Sequence, residues 1–243
     1  MSYKKITIKT LSIMLLLLTV TSGQTLKDIK IFSDYSNGID KRFLVWKATA
    51  VGGGADINFD IYEGLTFGIS AGYQLFTINQ DSVIKQLNWD FWEYRYKGNI
   101  AVDLTDTTIR ATLSPFEKMD VLPVKLNLEY NYSPFEGLTI SPSIGGGIIF
   151  YTRRIYIQET WSKYYPNAGY TFIYSYRNFA PFRSGNPLFV SGGLNATYNL
   201  GDIFSLYAGF NYNYIIPTEG EFGYDIFPFR KYYSLKLGLT FLY

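Results

Sequence analysis

Five charged side chains lie at alternate positions within stretches that are otherwise apolar at every second residue. They are Asp56, Asp60, Lys125, Glu129 and Lys236. If these stretches are strands, their period-two geometry places the five charges on the polar side, facing the interior. Charges in a common interior must pair, because an isolated buried charge costs several kcal/mol. We therefore expect either ion pairs that plug the interior or a narrow, gated polar path lined by the same groups.

Histidine and cysteine are both absent from the chain. Their absence removes the commonest general base, the Cys/His zinc sites and any disulfide. The carboxylates of Asp103 and Asp106 have no companion signature, and the glycine runs at 52–54 and 145–147 lack the Lys-Ser/Thr and the helix of a phosphate-binding loop. We expect those glycines to relieve crowding or let strands bend. The sequence predicts a non-enzymatic protein with no cofactor and no metal site.

Aromatic residues make up 19% of the chain, and many fall between the alternating stretches. Rings interleaved with Arg, Glu, Asp and Asn suit the recognition of glycans, peptides or another protein. The alternative is that they pack on one another and on the strand ends. The candidates for contact with an external ligand are Trp89, Phe91, Trp92, Trp161, Tyr164 and Tyr165.

Strict alternation predicts an all-β fold of eight strands. The predicted strands are residues 26–35, 43–61, 65–79, 121–132, 138–151, 187–199, 203–216 and 231–243. Tight hairpin turns are expected at 62–64, 134–137 and 199–202, where a related pattern recurs. A variant with ten strands would take the extra pair from residues 100–116.

The strands are better suited to a membrane barrel than to a soluble one. They are long, their ends are rich in aromatic residues, and short turns alternate with long connections at about 80–120, 152–186 and 217–230. Alternation within YTFIYSYRNF (residues 170–179) suggests a strand that continues beyond the membrane. We expect one antiparallel up-and-down transmembrane β-barrel over residues 24–243. The alternative is a soluble barrel that binds a ligand inside.

The N-terminus has the pattern of a signal peptide. Lys4, Lys5 and Lys9 precede a short apolar run at 11–20 and the small residues 21–23. We expect residues 1–23 to be removed, which changes the formal charge from +2 to about −1. No basic patch of the kind that nucleic-acid binding requires is present.

The C-terminal stretch SLKLGLTFLY alternates apolar residues with small or polar ones and ends on Tyr243. It resembles the last strand of bacterial outer-membrane proteins, and the mature chain resembles the small barrels of the OmpA-transmembrane, OmpX and OmpW type. The resemblance implies a place in outer-membrane lipid. It also implies recognition by the barrel-assembly machinery through Leu237, Leu239, Phe241 and Tyr243.

Two functions fit such a barrel. The first is a non-enzymatic surface anchor whose aromatic loops bind an external ligand. The second, which the likeness to OmpW-type barrels allows, is a small channel or transporter for small or apolar solutes. Related barrels with enzymatic activity resemble one another in using an active-site histidine, which this chain lacks.

Overall fold

Eight long antiparallel strands close into a ring. The structure is a computed structural model that describes residues 25–80, 90–201, 203–218 and 222–242. The strands are β1 Thr25–Lys41, β2 Val45–Tyr62, β3 Leu65–Gln80, β4 Ile109–Tyr130, β5 Tyr132–Phe135, β6 Leu138–Tyr165, β7 Tyr170–Phe179, β8 Arg183–Gly185, β9 Leu188–Asn199, β10 Phe204–Ile215 and β11 Phe229–Leu242. The ring runs β1-β2-β3-β4-β6-β9-β10-β11 and back to β1. The prediction of eight strands is confirmed, and the ten-stranded variant is wrong because residues 109–116 continue β4.

The first and last strands close the barrel. β1 pairs with β11 from Asp28 opposite Leu242 to Lys41 opposite Phe229. Leu237, Leu239 and Phe241 lie in this wall, opposite Ser33, Ile31 and Ile29. Tyr243 lies outside the described residues, as does the predicted signal peptide at 1–23. Recognition of this strand by the assembly machinery stays a prediction.

The outer wall is apolar and exposed. Val51, Ile144 and Leu237 are 67%, 69% and 68% exposed, and they belong to a continuous belt of Leu, Ile, Val and Phe side chains around the ring. A belt of this size is not stable in water, whereas a closed barrel in lipid satisfies every backbone group. The soluble alternative is wrong, because the apolar face points outward and the polar face points inward.

The lower end of the barrel carries the predicted tight turns. Glu63-Gly64 joins β2 to β3, and Glu136-Gly137 joins β5 to β6. Gly64 and Gly137 have φ of 75° and 79°, a conformation that favours glycine. The third turn joins β9 to β10, and its Asp202 is outside the described residues. We assign this end to the periplasm, because outer-membrane barrels place short turns there.

The prediction of long loops is wrong for much of their length, because strands occupy these stretches. β4 begins at Ile109, β6 continues to Tyr165, and β7 adds a third strand, as residues 170–179 suggested. The β4–β6 ladder runs unbroken from Ile109 opposite Lys163 to Glu129 opposite Ser143. We call residues 109–120, 152–165 and 170–179 the flap. It remains a sheet above the lipid, because its strands hydrogen-bond to one another and need no apolar outer face.

A short helical segment packs against the flap. Trp92–Asn99 has π-helical hydrogen bonding and continues as the α-helical turn Ile100–Asp103. Ile100 and Tyr96 are buried with Ile155, Ile157 and Trp161 of the flap. We call residues 92–103 the docked helix. No helix in the described part of the chain is long and apolar enough to cross a membrane.

Candidate functional site: a filled lumen below an aromatic flap

Ion pairs fill the lower half of the lumen. The Lys30 ammonium lies 2.8 Å from the Glu129 carboxylate, and that of Lys236 lies 3.5 Å from Asp56. Glu129 also accepts hydrogen bonds from the side-chain amides of Asn127 at 3.3 Å and Asn195 at 2.8 Å. Three of the five predicted interior charges, Asp56, Glu129 and Lys236, are thus buried and paired.

Lys125 and Asp60 are placed differently. Lys125 lies in the lumen, where its ammonium donates to Asn211 at 3.4 Å and borders a cavity of about 30 Å³. That volume holds about one or two water molecules. Asp60 was expected to point into the interior, and it lies on the same face of the wall as its register partner Thr66, which is buried and donates to it at 3.2 Å. Asp60 sits at the lower mouth, exposed, 3.6 Å from Lys27 and beside a vestibule of about 610 Å³, because β2 reaches its turn there.

Several lumen groups were missed by the sequence analysis, and most of them lie on β1. Lys30 supplies the partner of Glu129, Asp28 accepts from Asn58 at 2.6 Å, and Asp34 accepts from Gln74 at 2.8 Å. Alternation along β1 was the available signal. Its charges obscured it, and β1 was predicted as a shorter strand than the seventeen residues it has.

An apolar cluster fills the upper half of the lumen. Phe76 and Phe229 lie 5.1 Å apart, and Phe229 and Phe227 lie 4.9 Å apart between ring centroids. The cluster also contains Met119, Val121, Ile149, Phe189, Ile215 and Tyr232, all buried. Phe227 comes from residues 222–228, which we call the plug segment. The lumen therefore changes from polar to apolar along its axis.

Arg42 fastens the plug segment. Its guanidinium donates to the carbonyl oxygens of Tyr224 at 2.7 Å and Phe227 at 3.2 Å, and it lies 4.4 Å from the Tyr224 ring centroid. Arg153 donates to the Ile226 carbonyl and, through Nε, to Glu117 at 2.6 Å. The barrel mouth is closed by a segment that is itself hydrogen-bonded to the wall.

A buried carboxylate joins the docked helix to the flap. Glu159 accepts two hydrogen bonds from Arg95, at 3.0 and 2.9 Å, one from the Tyr96 hydroxyl at 2.6 Å and one from Trp161 Nε1 at 2.8 Å. Asn178 donates to it as well. Burial opposes ionisation, but the hydrogen bonds from Tyr96, Trp161 and Arg95 outweigh it and lower the pKa of Glu159. Burial, with the bond to Glu159, raises the pKa of Tyr96 to about 12.

The predicted loop aromatics have different surroundings. Trp161 is buried and holds Glu159, whereas Phe91 is exposed beside Tyr96. Tyr164 and Tyr165 are exposed at the tip of β6. Trp89 lies outside the described residues, and so does the side chain of Trp92.

A ladder of rings runs along the inner side of β7. Tyr174 lies 5.6 Å from Phe172, 6.2 Å from Tyr176 and 6.5 Å from Trp161, nearly parallel to the last two. Tyr174 and Phe172 are 44% and 46% exposed. Among the described residues β7 pairs only with β6, which leaves its other edge unpaired. The ladder is thus an accessible aromatic surface on a regular element of the flap.

The described residues contain no group of three acidic side chains that could hold a metal ion. Several acidic groups above the membrane are engaged by cations or by hydrogen bonds. Glu159 is bound by Arg95, and Asp120 lies 2.7 Å from Arg154. Asp106 accepts hydrogen bonds from the hydroxyl and backbone N–H of Thr108, which lower its pKa.

No protein-family model and no curated protein matches this sequence. Among solved structures, Neisserial surface protein A is similar over 91% of this chain and 100% of its own, at 10% identity and a TM-score of 0.47. The outer membrane protein OprG from Pseudomonas aeruginosa is similar over 89% of this chain and 96% of its own chain, at 12% identity and a TM-score of 0.46. A major outer membrane protein from Thermus thermophilus is similar over 88% of this chain and 99% of its own chain, at 16% identity and a TM-score of 0.43.

Likenesses at this level assign no function. The ring of eight strands and its exposed apolar belt are sufficient to define the architecture. The chain is an integral outer-membrane β-barrel.

Proposed function

We propose that this chain is a non-enzymatic surface protein, in which a closed barrel anchors an aromatic flap that binds a ligand or partner outside the cell. The observation that carries the proposal is the ladder of Phe172, Tyr174 and Tyr176 on a hydrogen-bonded strand, in which Phe172 and Tyr174 are exposed and Tyr176 is half-buried. Rings held by a sheet lose little conformational entropy on binding, and exposed Tyr side chains offer both an apolar face and a hydroxyl.

The barrel contributes rigidity to this proposal. The flap continues β4 and β6, so its position follows from the membrane-spanning ladder. The hydrogen bonds from Arg95 and Tyr96 to Glu159 then fix the docked helix against the flap. The absence of histidine and the engagement of Glu159 and Asp120 by arginine favour binding over catalysis.

Arrays of immobilised glycans and of synthetic peptides test the proposal. The refolded protein in nanodiscs is applied as wild type, as Phe172→Ser/Tyr174→Ser and as the control Ile173→Ser, whose side chain is exposed on the other face of β7. We expect wild type and control to bind the same spots and the double variant to lose them. Failure of wild type to bind any spot, or equal binding by all three proteins, contradicts the proposal.

A gated channel is the second candidate. The observation that favours it is that the apolar cluster at the upper mouth includes Tyr224 and Phe227 of the plug segment, which is not a strand of the wall and is held by Arg42. Arg42→Ala removes the guanidinium that holds this segment. Conductance steps in Arg42→Ala protein but not in wild type support gating, and silence in both contradicts it.

A further inference from the structure

Basic side chains are concentrated on the outer wall at the upper end of the barrel. Lys47, Lys118 and Arg154 point outward from β2, β4 and β6, and we call them the basic row. Lys118 and Arg154 are direct register partners, and Thr77 of β3 lies opposite Lys118. The lower turns instead carry Glu63 and Glu136. The charge of the wall is therefore asymmetric along the membrane normal.

Within the basic row, Lys118 lies at the level of lipid headgroups. Val51 and Leu75, in register with Asp120, are among the uppermost apolar residues of the belt on β2 and β3. Lys118 is two residues further up β4, which is about 5 Å along the normal for a strand tilted by about 40°. The headgroup layer is about 5–7 Å deep on each side of the hydrocarbon. The ammonium of Lys118 thus falls within that layer.

The row has more positive charge than the wall neutralises. Lys118 donates to the Thr77 hydroxyl at 2.7 Å, and neither it nor Lys47 has a carboxylate partner among the described residues. Arg154 is paired with Asp120, which also accepts from the Tyr73 hydroxyl at 2.6 Å. An anionic headgroup would supply the missing counter-charge, since basic clusters at this level attract lipid phosphates.

An aromatic groove adjoins Lys118. It has a volume of about 340 Å³ and is lined by Trp46, Thr77, Asn79 and Phe116 in addition to Lys118. Trp46 and Phe116 are both exposed, so their rings form apolar walls around a cationic group. A sugar ring packs well against aromatic faces, and a phosphate on that sugar would reach the lysine. A simple phospholipid headgroup would use the cation but not the walls.

We propose that this groove, together with the basic row, binds the phosphorylated sugar headgroup of a glycolipid in the outer leaflet. The site is separate from the aromatic ladder, because it lies on the opposite face of the sheet and at the membrane surface. The groove is continuous with the apolar belt, so its occupant is lipid that surrounds the barrel.

Native mass spectrometry of the refolded protein in detergent tests the site. The probes are lipid A, its dephosphorylated form and phosphatidylglycerol. We expect wild type to retain lipid A in preference to both other lipids. Equal retention of dephosphorylated lipid A overturns recognition of the phosphate, and equal retention of phosphatidylglycerol overturns recognition of the sugar.

Variants locate the binding. Lys47→Gln/Lys118→Gln should bind lipid A about thirtyfold more weakly, as the loss of two surface lysines predicts. The control Lys163→Gln removes a partly exposed lysine near the tip of β6, on the inner face and far from the lipid, and should bind as wild type does. Unchanged affinity in the double variant, or an equal loss in the control, overturns the proposal.

Discussion

Removing the carboxylate of Glu129 would leave the Lys30 ammonium buried without its partner. The two groups are 2.8 Å apart, and their side chains are 3% and 5% exposed. Breaking a buried ion pair from one side costs about 3–5 kcal/mol. Lys30 also borders the lower vestibule and lies near Asp28, so water and a second carboxylate relieve part of the penalty. We therefore expect Glu129→Ala to lower the free energy of unfolding by about 3 kcal/mol, at the lower end of that range.

A double-mutant cycle separates the pair from the general loss of packing. Lys30→Met alone leaves the Glu129 carboxylate buried with only Asn127 and Asn195 as donors, and should cost a similar amount. The double variant removes both charges. It should cost about 3 kcal/mol, well below the sum of the single losses, because neither charge is then left unpaired.

Urea unfolding of the barrel in lipid vesicles measures these differences, with tryptophan emission and the gel mobility of unheated samples as probes. The matched control is Glu136→Ala, which removes an exposed glutamate from a lower turn and should change stability by less than about 0.5 kcal/mol. The reasoning fails if Glu129→Ala and Glu136→Ala have the same urea midpoint, or if the losses in the cycle are additive.

Three further variants probe the plug and the flap. Phe229→Ala removes a fully buried ring from the apolar cluster and should cost about 3–5 kcal/mol in the same urea assay; a loss below about 1 kcal/mol would contradict close packing. Arg42→Ala should speed hydrogen exchange in residues 222–228 only, and unchanged exchange there would show that other contacts hold the plug. Because the pKa of Glu159 is lowered in the folded state, its stabilisation is complete above the ordinary glutamate pKa of about 4.3 and is lost as the pH falls through the lower folded value. Exchange in residues 92–103 should rise in that acid range, and in Glu159→Gln it should be fast already at pH 7; an acid response retained in the variant would assign the effect to another group.

The barrel wall could be predicted because the lipid constrains it. Outward residues such as Ile31, Val51 and Leu237 must be apolar, and period-two alternation then identifies both strand and face. The turns at Gly64 and Gly137 add a local signal, since a positive φ favours glycine. The sequence therefore predicted the strand number and the lower hairpins.

The flap was missed because that constraint ends at the membrane surface. Gln158 and Ser162 face outward from β6 into water, so their polarity is typical of a loop. The strand nevertheless continues, because β4 pairs with it residue by residue. Pairing between residues as distant in the chain as Ile109 and Lys163 is a tertiary property that local composition does not encode.

The sequence also did not predict which charged groups pair inside the lumen. The alternation along each strand predicts that Asp56, Glu129 and Lys236 face the interior, but it does not say which charges meet. Lys30 reaches Glu129 across the lumen, 99 residues away in the chain. The hydrogen bonds of Glu159 likewise depend on the docked helix, and the residues of that helix show no apolar periodicity that would have predicted a helix.

Single-channel conductance of the wild-type protein in a planar bilayer tests most directly whether the barrel is a closed anchor. Insertion is verified separately by the gel mobility of unheated samples. Ion pairs fill the lower lumen, the cavity beside Lys125 measures about 30 Å³, and an apolar cluster closes the upper mouth. We predict no discrete steps from inserted protein. Reproducible steps would contradict the account and would make Lys125, Glu129 and Lys236 residues of an open pore.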